Sequence, residues 1–167
     1  MEADGFSWWL RRIGKNLQWF DLLRLDHFRG FSAYWEVPAD ARVALRGHWI
    51  QGPGTRLFDA IKNRFPGLPL VAEDLGQIDQ AVYDLRDHYE LPGMKVIQFG
   101  FGPQMPFSHH YPGNIPYNCV VYTGTHDNNT MKGWFRKEAG KKDLKRIKAF
   151  TGKKVTGKNI HMEMIRL

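Results

Sequence analysis

Apolar positions recur along this chain at two different intervals, and the alternation between them predicts an α/β organisation. In GFSWWLRRIGKNLQWF (5–20), Phe6, Trp9, Leu10, Ile13 and Leu17 fall three or four residues apart, the spacing of one helix face, despite Gly14 in the middle. DLLRL (21–25) then reads as a short strand. TRLFDAIKNRF (55–65) is a second helix with Leu57, Phe58, Ile61 and Phe65 on one side and Thr55 as its expected N-cap. LPLVAEDLG (68–76) contains another strand, and IDQAVYDLRDHYE (78–90) is a helix stopped by Pro92 and Gly93. MKVIQFGF (94–101) reads as a strand, NCVVYTGTHDNNT (118–130) as a further apolar run, and MKGWFRKEA, from Met131, as the start of another helix. Two stretches lack a period: 30–54, rich in aromatics, Pro and Gly, and 138–167, basic and weakly patterned. The first is expected to be a long irregular loop of the kind that carries function.

Short strands separated by helical segments imply parallel β-strands with crossover helices. Three of these strands run into acid at their C-terminal ends, at Asp26, at Glu73-Asp74 and at Asp127, and none begins with it. In a (β/α) barrel that rim is where catalysis is built, but a barrel has eight strands and the pattern supplies about four. The expected fold is therefore a partial (β/α)8 TIM barrel of about four parallel strands with crossover helices. Residues 1–167 would form an incomplete catalytic domain, with 30–54 as a substrate-groove loop inside it. An open flavodoxin-like sheet would need about five parallel strands and a glycine-rich first turn, and there is no GxGxxG.

Composition narrows the class. With 43% apolar and 25% charged residues the chain belongs with globular domains. No apolar run approaches a membrane span, and MEADGFSWWLRR carries acid where a signal peptide would carry base, so a cytoplasmic protein with no membrane partner is expected. The single cysteine, Cys119, rules out an internal disulfide and is expected to be a buried thiol. The net charge of +7 is concentrated after Lys132, in KKDLKRIKAFTGKKVTGK. No zinc-finger spacing, Walker loop or arginine-rich repeat accompanies it, so it reads as a solvated face and nucleic acid is not an expected partner. The His109-His110 pair has no carboxylate or cysteine at ligand spacing, so no metal is expected there either.

The rim carboxylates are the candidate chemistry. Three of them facing one cleft suit either a divalent cation or glycoside cleavage. Arg24, two residues before Asp26 and so on the same strand face, can hold that carboxylate ionised, as befits a nucleophile; His27, Arg29 and His126 add donors nearby. Glu73 follows Leu70, Val71 and Ala72, apolar surroundings that favour the protonated form a general acid needs. Asp127 would hydrogen-bond sugar hydroxyls and favour a distorted ring. Tyr34, Trp35, Trp49, Phe101 and Tyr111 fall in loops, where aromatic faces pack on sugar rings.

At these same residues the sequence resembles the 4-alpha-glucanotransferases, also called amylomaltases or disproportionating enzymes. RLDHFRGF (24–31), YWEVPA (34–39), GHWIQGPG (47–54), AEDLG (72–76), PGMKVIQF (92–99) and VVYTGTHDNNT (120–130) match that family's segments in order and spacing. The resemblance implies Asp26 as nucleophile, Glu73 as acid/base and Asp127 as the acid that stabilises the transition state. Arg24 and His126 would contact the nucleophile and the donor sugar, and Trp49, Gly52, Pro53 and Gly54 would line the glucan groove. His27, Asp74 and Asn128 join the expected substrate contacts. It further implies retaining transfer of an α-1,4-glucan segment from a maltooligosaccharide to another glucan's 4-hydroxyl, without a cofactor. An α-amylase-like retaining hydrolase and a non-catalytic glucan-binding fragment are the alternatives. Four strands leave sheet edges exposed, which invites self-association, and leave one side of the site unbuilt, so the isolated chain is expected to have little or no activity.

Overall fold

The apolar spacing of the N-terminal segment forms α1 (Ser7–Asn16), which buries Ile13. The computed structural model describes residues 2–167. This helix is shorter than 5–20 because Phe6 takes a left-handed backbone, φ 58°, ahead of it, and Leu17 to Trp19 leave it as a turn. Strand β1 (Leu23–Leu25) follows, then a one-turn helix α2 (Arg29–Ser32).

The stretch expected to be irregular holds a hairpin: β2 (Ala33–Glu36) and β3 (His48–Gln51) pair antiparallel with Trp35 opposite Trp49. Each strand has aromatic or β-branched residues suited to a pleated surface, but the connection 37–47 carries no short turn signal to announce the pairing. Helix α3 (Gly54–Arg64) starts one residue before the expected cap. Pro53 holds the N-cap position with no side-chain cap, Gly54 has the positive φ of 51°, and Thr55 already lies inside the helix. Strand β4 (Leu70–Ala72), buried throughout, leads to α4 (Gln80–His88), whose N-cap Asp79 accepts from the Val82 N–H.

Two compact units divide the chain at Gly93 and Met94. The first is built on an aromatic core in which Phe28, Leu57, Phe58, Ile61 and Leu70 are fully buried. The Phe58 ring lies 5.4 Å from those of Phe28, Phe31 and Tyr89. Such aromatic contacts add about 0.5–1.5 kcal/mol each beyond area burial.

In the second unit β5 (Gly93–Val96) pairs with β6 (Cys119–Tyr122). The strand expected to reach residue 101 stops early, because Ile97–Phe99 winds into a 3-10 turn. Cys119 is half-buried rather than buried. Helix α5 (Met131–Lys137) is capped by Thr130, and the basic segment forms α6 (Lys141–Thr151) and α7 (Ile160–Ile165). Met131, Trp134, Ile147, Ile160 and Met164 pack these three helices together. Gly152 ends α6 at φ 65°.

Among the described residues the strands join two by two. β1 and β4 are parallel, β2 and β3 antiparallel, and β5 and β6 form a third pair; of the expected parallel strands with helical crossovers, the β1–β4 pair is the part seen here. On the other side of β4 the Ala72 N–H bonds to the Pro92 carbonyl at 2.8 Å. No helix among them is long and apolar enough to cross a membrane.

Tyr89 links the end of α4 to α3: its hydroxyl donates to Asp59 Oδ1 at 2.7 Å, with the Thr55 carbonyl oxygen 3.0 Å away. Burial, and then the Asp59 carboxylate, raise its ionisation above the ordinary tyrosine range. A pKa raised in the folded state contributes stability that is present below the unfolded value of roughly 10 and is lost as pH rises toward the folded one. Urea unfolding from neutral to strongly alkaline pH should therefore show a steeper loss of stability above about pH 10 in the natural chain than in Tyr89→Phe.

Candidate active site

The parallel ladder brings Leu25 opposite Ala72, so the next residue of each strand, Asp26 and Glu73, emerges at the same end. The Glu73 N–H bonds to the Leu25 carbonyl at 3.0 Å, and the Phe28 N–H to the Glu73 carbonyl at 3.1 Å, which carries the pairing one step past the strands. The Glu73 carboxylate is held on both oxygens. The His27 N–H donates to Oε2 at 2.7 Å and the Leu75 N–H to Oε1 at 3.0 Å. The apolar setting expected for this acid is thus replaced by two backbone donors. His27 reaches its position with φ 50°, a left-handed conformation that histidine adopts more readily than most residues. Backbone in that region concentrates at functional sites.

Arg24 and Asp26 lie on one strand face, as period two requires, and their side chains meet at 2.6 Å. The Asp26 side chain remains 72% exposed. Beside it opens a cleft of about 430 Å³ lined by Phe6, Trp9, Asp26, His27, Gly30, Phe31 and Pro53. A Cβ on Gly30 would stand 2.9 Å from the His27 ring, and one on Gly52 would stand 2.3 Å from the Phe31 carbonyl oxygen. Both glycines therefore let the cleft wall close up against backbone. One wall is charged and the other apolar and aromatic, which is the chemistry of a site for a molecule with hydroxyls on its rim and carbon on its faces.

The remaining expected residues fall in several places. Trp49 stands on the hairpin, half exposed, with the Arg29 guanidinium 4.4 Å from its ring centre. Gly52 and Gly54 border a neighbouring depression with Thr55, Asp84 and His88. Asp74 departs from its expected role as a sugar contact. Its side chain is shut off from solvent and paired with Arg86 of α4, and a Cβ on Gly93 would collide with both. Adjacent residues leaving a strand point to opposite sides, so with Glu73 facing the site Asp74 faces the core.

Asp127 belongs to the second unit, past the end of β6, where it is 73% exposed and has His126 Nε2 at 3.4 Å. Asn128 is occupied locally: its Oδ1 accepts from the Thr125 N–H and hydroxyl, both at 2.9 Å, closing the turn that presents Asp127. The structure thus brings together Arg24, Asp26, His27, Pro53 and Glu73. Phe6, Trp9, Gly30 and Phe31 were not foreseen as cleft residues. Three of them carry the apolar signature of a core, and only the glycine before Phe31 hinted at a close approach.

A profile described as 4-alpha-glucanotransferase matches residues 1–167. The chain is 44% identical to the 4-alpha-glucanotransferase of Aquifex aeolicus over 166 residues, covering 99% of this chain and 34% of that protein. It is 52% identical to the one from Thermus thermophilus over 139 residues, covering 81% and 27% respectively. The amylomaltase from Streptococcus agalactiae, solved in complex with acarbose, superposes with a TM-score of 0.91 at 35% identity, over 99% of this chain and 33% of that one. This chain therefore spans about a third of the length of these relatives.

The buried Asp74–Arg86 pair makes a stability prediction. Taking the guanidinium from a carboxylate that is closed to water, in Arg86→Met, should cost about 3 kcal/mol, and Asp74→Leu with Arg86→Met should cost less than that single change. Urea unfolding of the three proteins measures both differences.

Proposed function

The chain belongs to the 4-alpha-glucanotransferase family, and from that premise we propose that it carries the nucleophile and the acid/base of a retaining α-1,4-glucan transfer. The observation that supports this most directly is the 2.7 Å bond from the His27 N–H to Glu73 Oε2, which fixes the acid/base against the residue next to the nucleophile. A retaining mechanism needs its two carboxyls flanking one scissile glycosidic bond, and the Leu25–Ala72 register, with Asp26 and Glu73 next in each strand, supports that reading.

In this reading an Asp26 carboxylate oxygen attacks C1 of the donor sugar while the bond from C1 to the leaving 4-oxygen breaks. Glu73 gives its proton to that oxygen, and the shorter glucan departs with a new 4-hydroxyl. Glu73, now a carboxylate, takes the proton from an acceptor's 4-hydroxyl, whose oxygen attacks C1 and releases Asp26. Two inversions leave the α-configuration intact. Arg24 pairs with the Asp26 carboxylate and directs it, and the apolar wall of the cleft, with Phe6, Trp9 and Phe31, receives a sugar face. Asp127, with His126 at its side, is read as the third acid on the family resemblance alone. β1 and β4 are read as neighbouring staves of a (β/α)8 barrel of which this chain is a part. Maltooligosaccharides are the substrates, as donor and acceptor alike.

Two measurements test the proposal. α-Maltosyl fluoride has a leaving group that needs no acid, so it should form a glycosyl ester on Asp26 that mass spectrometry finds in the peptide containing it, with none in Asp26→Asn. Glu73→Ala should let the ester accumulate, because its removal needs a base. The absence of an adduct, or an adduct elsewhere, overturns the assignment. With maltotriose, the formation of oligosaccharides longer than the substrate should accompany turnover and fall about a hundred-fold or more in Glu73→Gln. Glucose and maltose alone would mark a hydrolase instead. Adduct formation by a chain with turnover far below that of the longer relatives is the expected pattern.

A further inference from the structure

The hairpin carries two large aromatic rings that the cleft beside Asp26 does not use. Trp35 and Trp49 face each other across the β2–β3 ladder, 42% and 53% exposed, and neither lines that cleft. Exposed tryptophans on a hairpin are ordinarily mobile, but both of these are fixed. Trp35 Nε1 donates to the Ala44 carbonyl at 2.7 Å, and a Cβ on Gly47 would stand 2.5 Å from that nitrogen, so the ring lies directly on the glycine. One face of Trp49 is backed by Arg29, which is itself locked by bonds to Asp79 Oδ2 at 2.9 and 3.0 Å and to the Gln77 carbonyl at 2.9 Å. The two rings meet with centroids 5.5 Å apart and planes 70° apart.

We propose that Trp35 and Trp49 form a preformed platform for an α-1,4-glucan chain outside the catalytic cleft, so that this protein holds long glucans more tightly than short ones. The inference rests on the glucan-transfer reading and extends it to substrate length. Rings held in place lose little conformational freedom on binding, so most of the contact energy appears as affinity. The faces of a pyranose carry C–H groups that pack on an aromatic face, while hydroxyls on its rim seek polar partners. Such partners flank the pair: Glu36 and His48, 3.4 Å apart at the next position of the ladder, and the Arg29–Asp79 pair beside Trp49. The angle between the rings selects the polymer. An α-1,4 chain curls, so successive sugars present faces turned relative to one another, whereas the flat ribbon of a β-1,4 chain calls for coplanar rings.

Native gel electrophoresis of the 167-residue chain with soluble amylose in the gel tests this, with hydroxyethyl cellulose as the β-linked probe. Amylose is expected to slow the natural chain and hydroxyethyl cellulose to leave it unaffected. Trp35→Ala and Trp49→Ala should each weaken the retardation about five-fold or more, while Trp35→Phe and Trp49→Phe keep an aromatic face and retain most of it. Far-UV circular dichroism establishes that each variant is folded; if an alanine variant is not, Trp35→Leu or Trp49→Leu takes its place. Leu45→Ser, on the exposed apolar tip of the hairpin connection, should migrate as the natural chain does.

The proposal is overturned by natural chain that amylose does not retard, by equal retardation in hydroxyethyl cellulose, or by folded alanine or leucine variants retarded as strongly as the natural chain. Loss of retardation in Leu45→Ser would make the tip a docking surface of another kind and overturns it. Failure of the catalytic reading shows separately, as a missing ester on Asp26 with the amylose result intact.

Discussion

Everything at the candidate site depends on the register of three residue pairs, Leu23 with Leu70, Arg24 with Val71 and Leu25 with Ala72. Parallel strands lie about 4.8 Å apart, so whatever follows Leu25 and Ala72 emerges side by side. That register is fixed by packing and not by the acids themselves. Leu25, Leu70 and Ala72 all belong to the aromatic core of the first unit, and a slip of one residue would turn each of them toward the wrong face. Burial of apolar side chains thus sets the position of two carboxylates that contribute nothing to the core. The His27 N–H then completes the arrangement by bonding to Glu73, at the expense of a left-handed backbone that the surrounding packing has to hold in place.

The glycines of the rim serve the same end by a different route. At Gly52 the backbone comes so near the Phe31 carbonyl that no side chain fits, and its N–H bonds to Ser32 at 2.8 Å. This draws the end of the hairpin onto α2 and places Pro53 in the cleft wall beside Asp26. Gly30 does likewise for the His27 ring. The segment between the two strands is therefore tied at both ends to the residues that carry the chemistry, and the hairpin with its tryptophans is an outgrowth of that fixed frame.

Much of this could be read from the sequence, and the limits of that reading have physical causes. An apolar run ending in charge is unusual enough that Asp26 and Glu73 stood out, and their pairing follows once the strands are parallel. The helix faces of α1 and α3 were visible in their spacing, though Gly54 rather than Thr55 opens the latter. The hairpin stayed hidden because its strands are short and its connection long. Asp74 was grouped with Glu73 although consecutive strand residues point to opposite sides; period two already contained its correct placement, and only the partner, Arg86, needed the fold. The cleft residues Phe6, Trp9 and Phe31 could not be told from core by pattern, since an aromatic wall and an aromatic core have the same composition. Asp127 lies at the end of a separate strand in the second unit, exposed and with His126 at its side.

Two of the arginine–aspartate pairs of the first unit, Arg24–Asp26 and Arg86–Asp74, show how burial decides what a charge does. Arg24 and Asp26 meet in water, where such a pair contributes about 0–1 kcal/mol, too little for stability to explain a guanidinium placed there. What a close pair does supply, even when exposed, is direction, because the guanidinium holds the carboxylate from one side. Arg86 and Asp74 meet behind the same strand end with the carboxylate fully enclosed, where separating them is costly and neither group can reach a ligand. The strand end is thus clamped from behind by a pair that cannot react and directed in front by one that can, and exchanging their surroundings would exchange their roles.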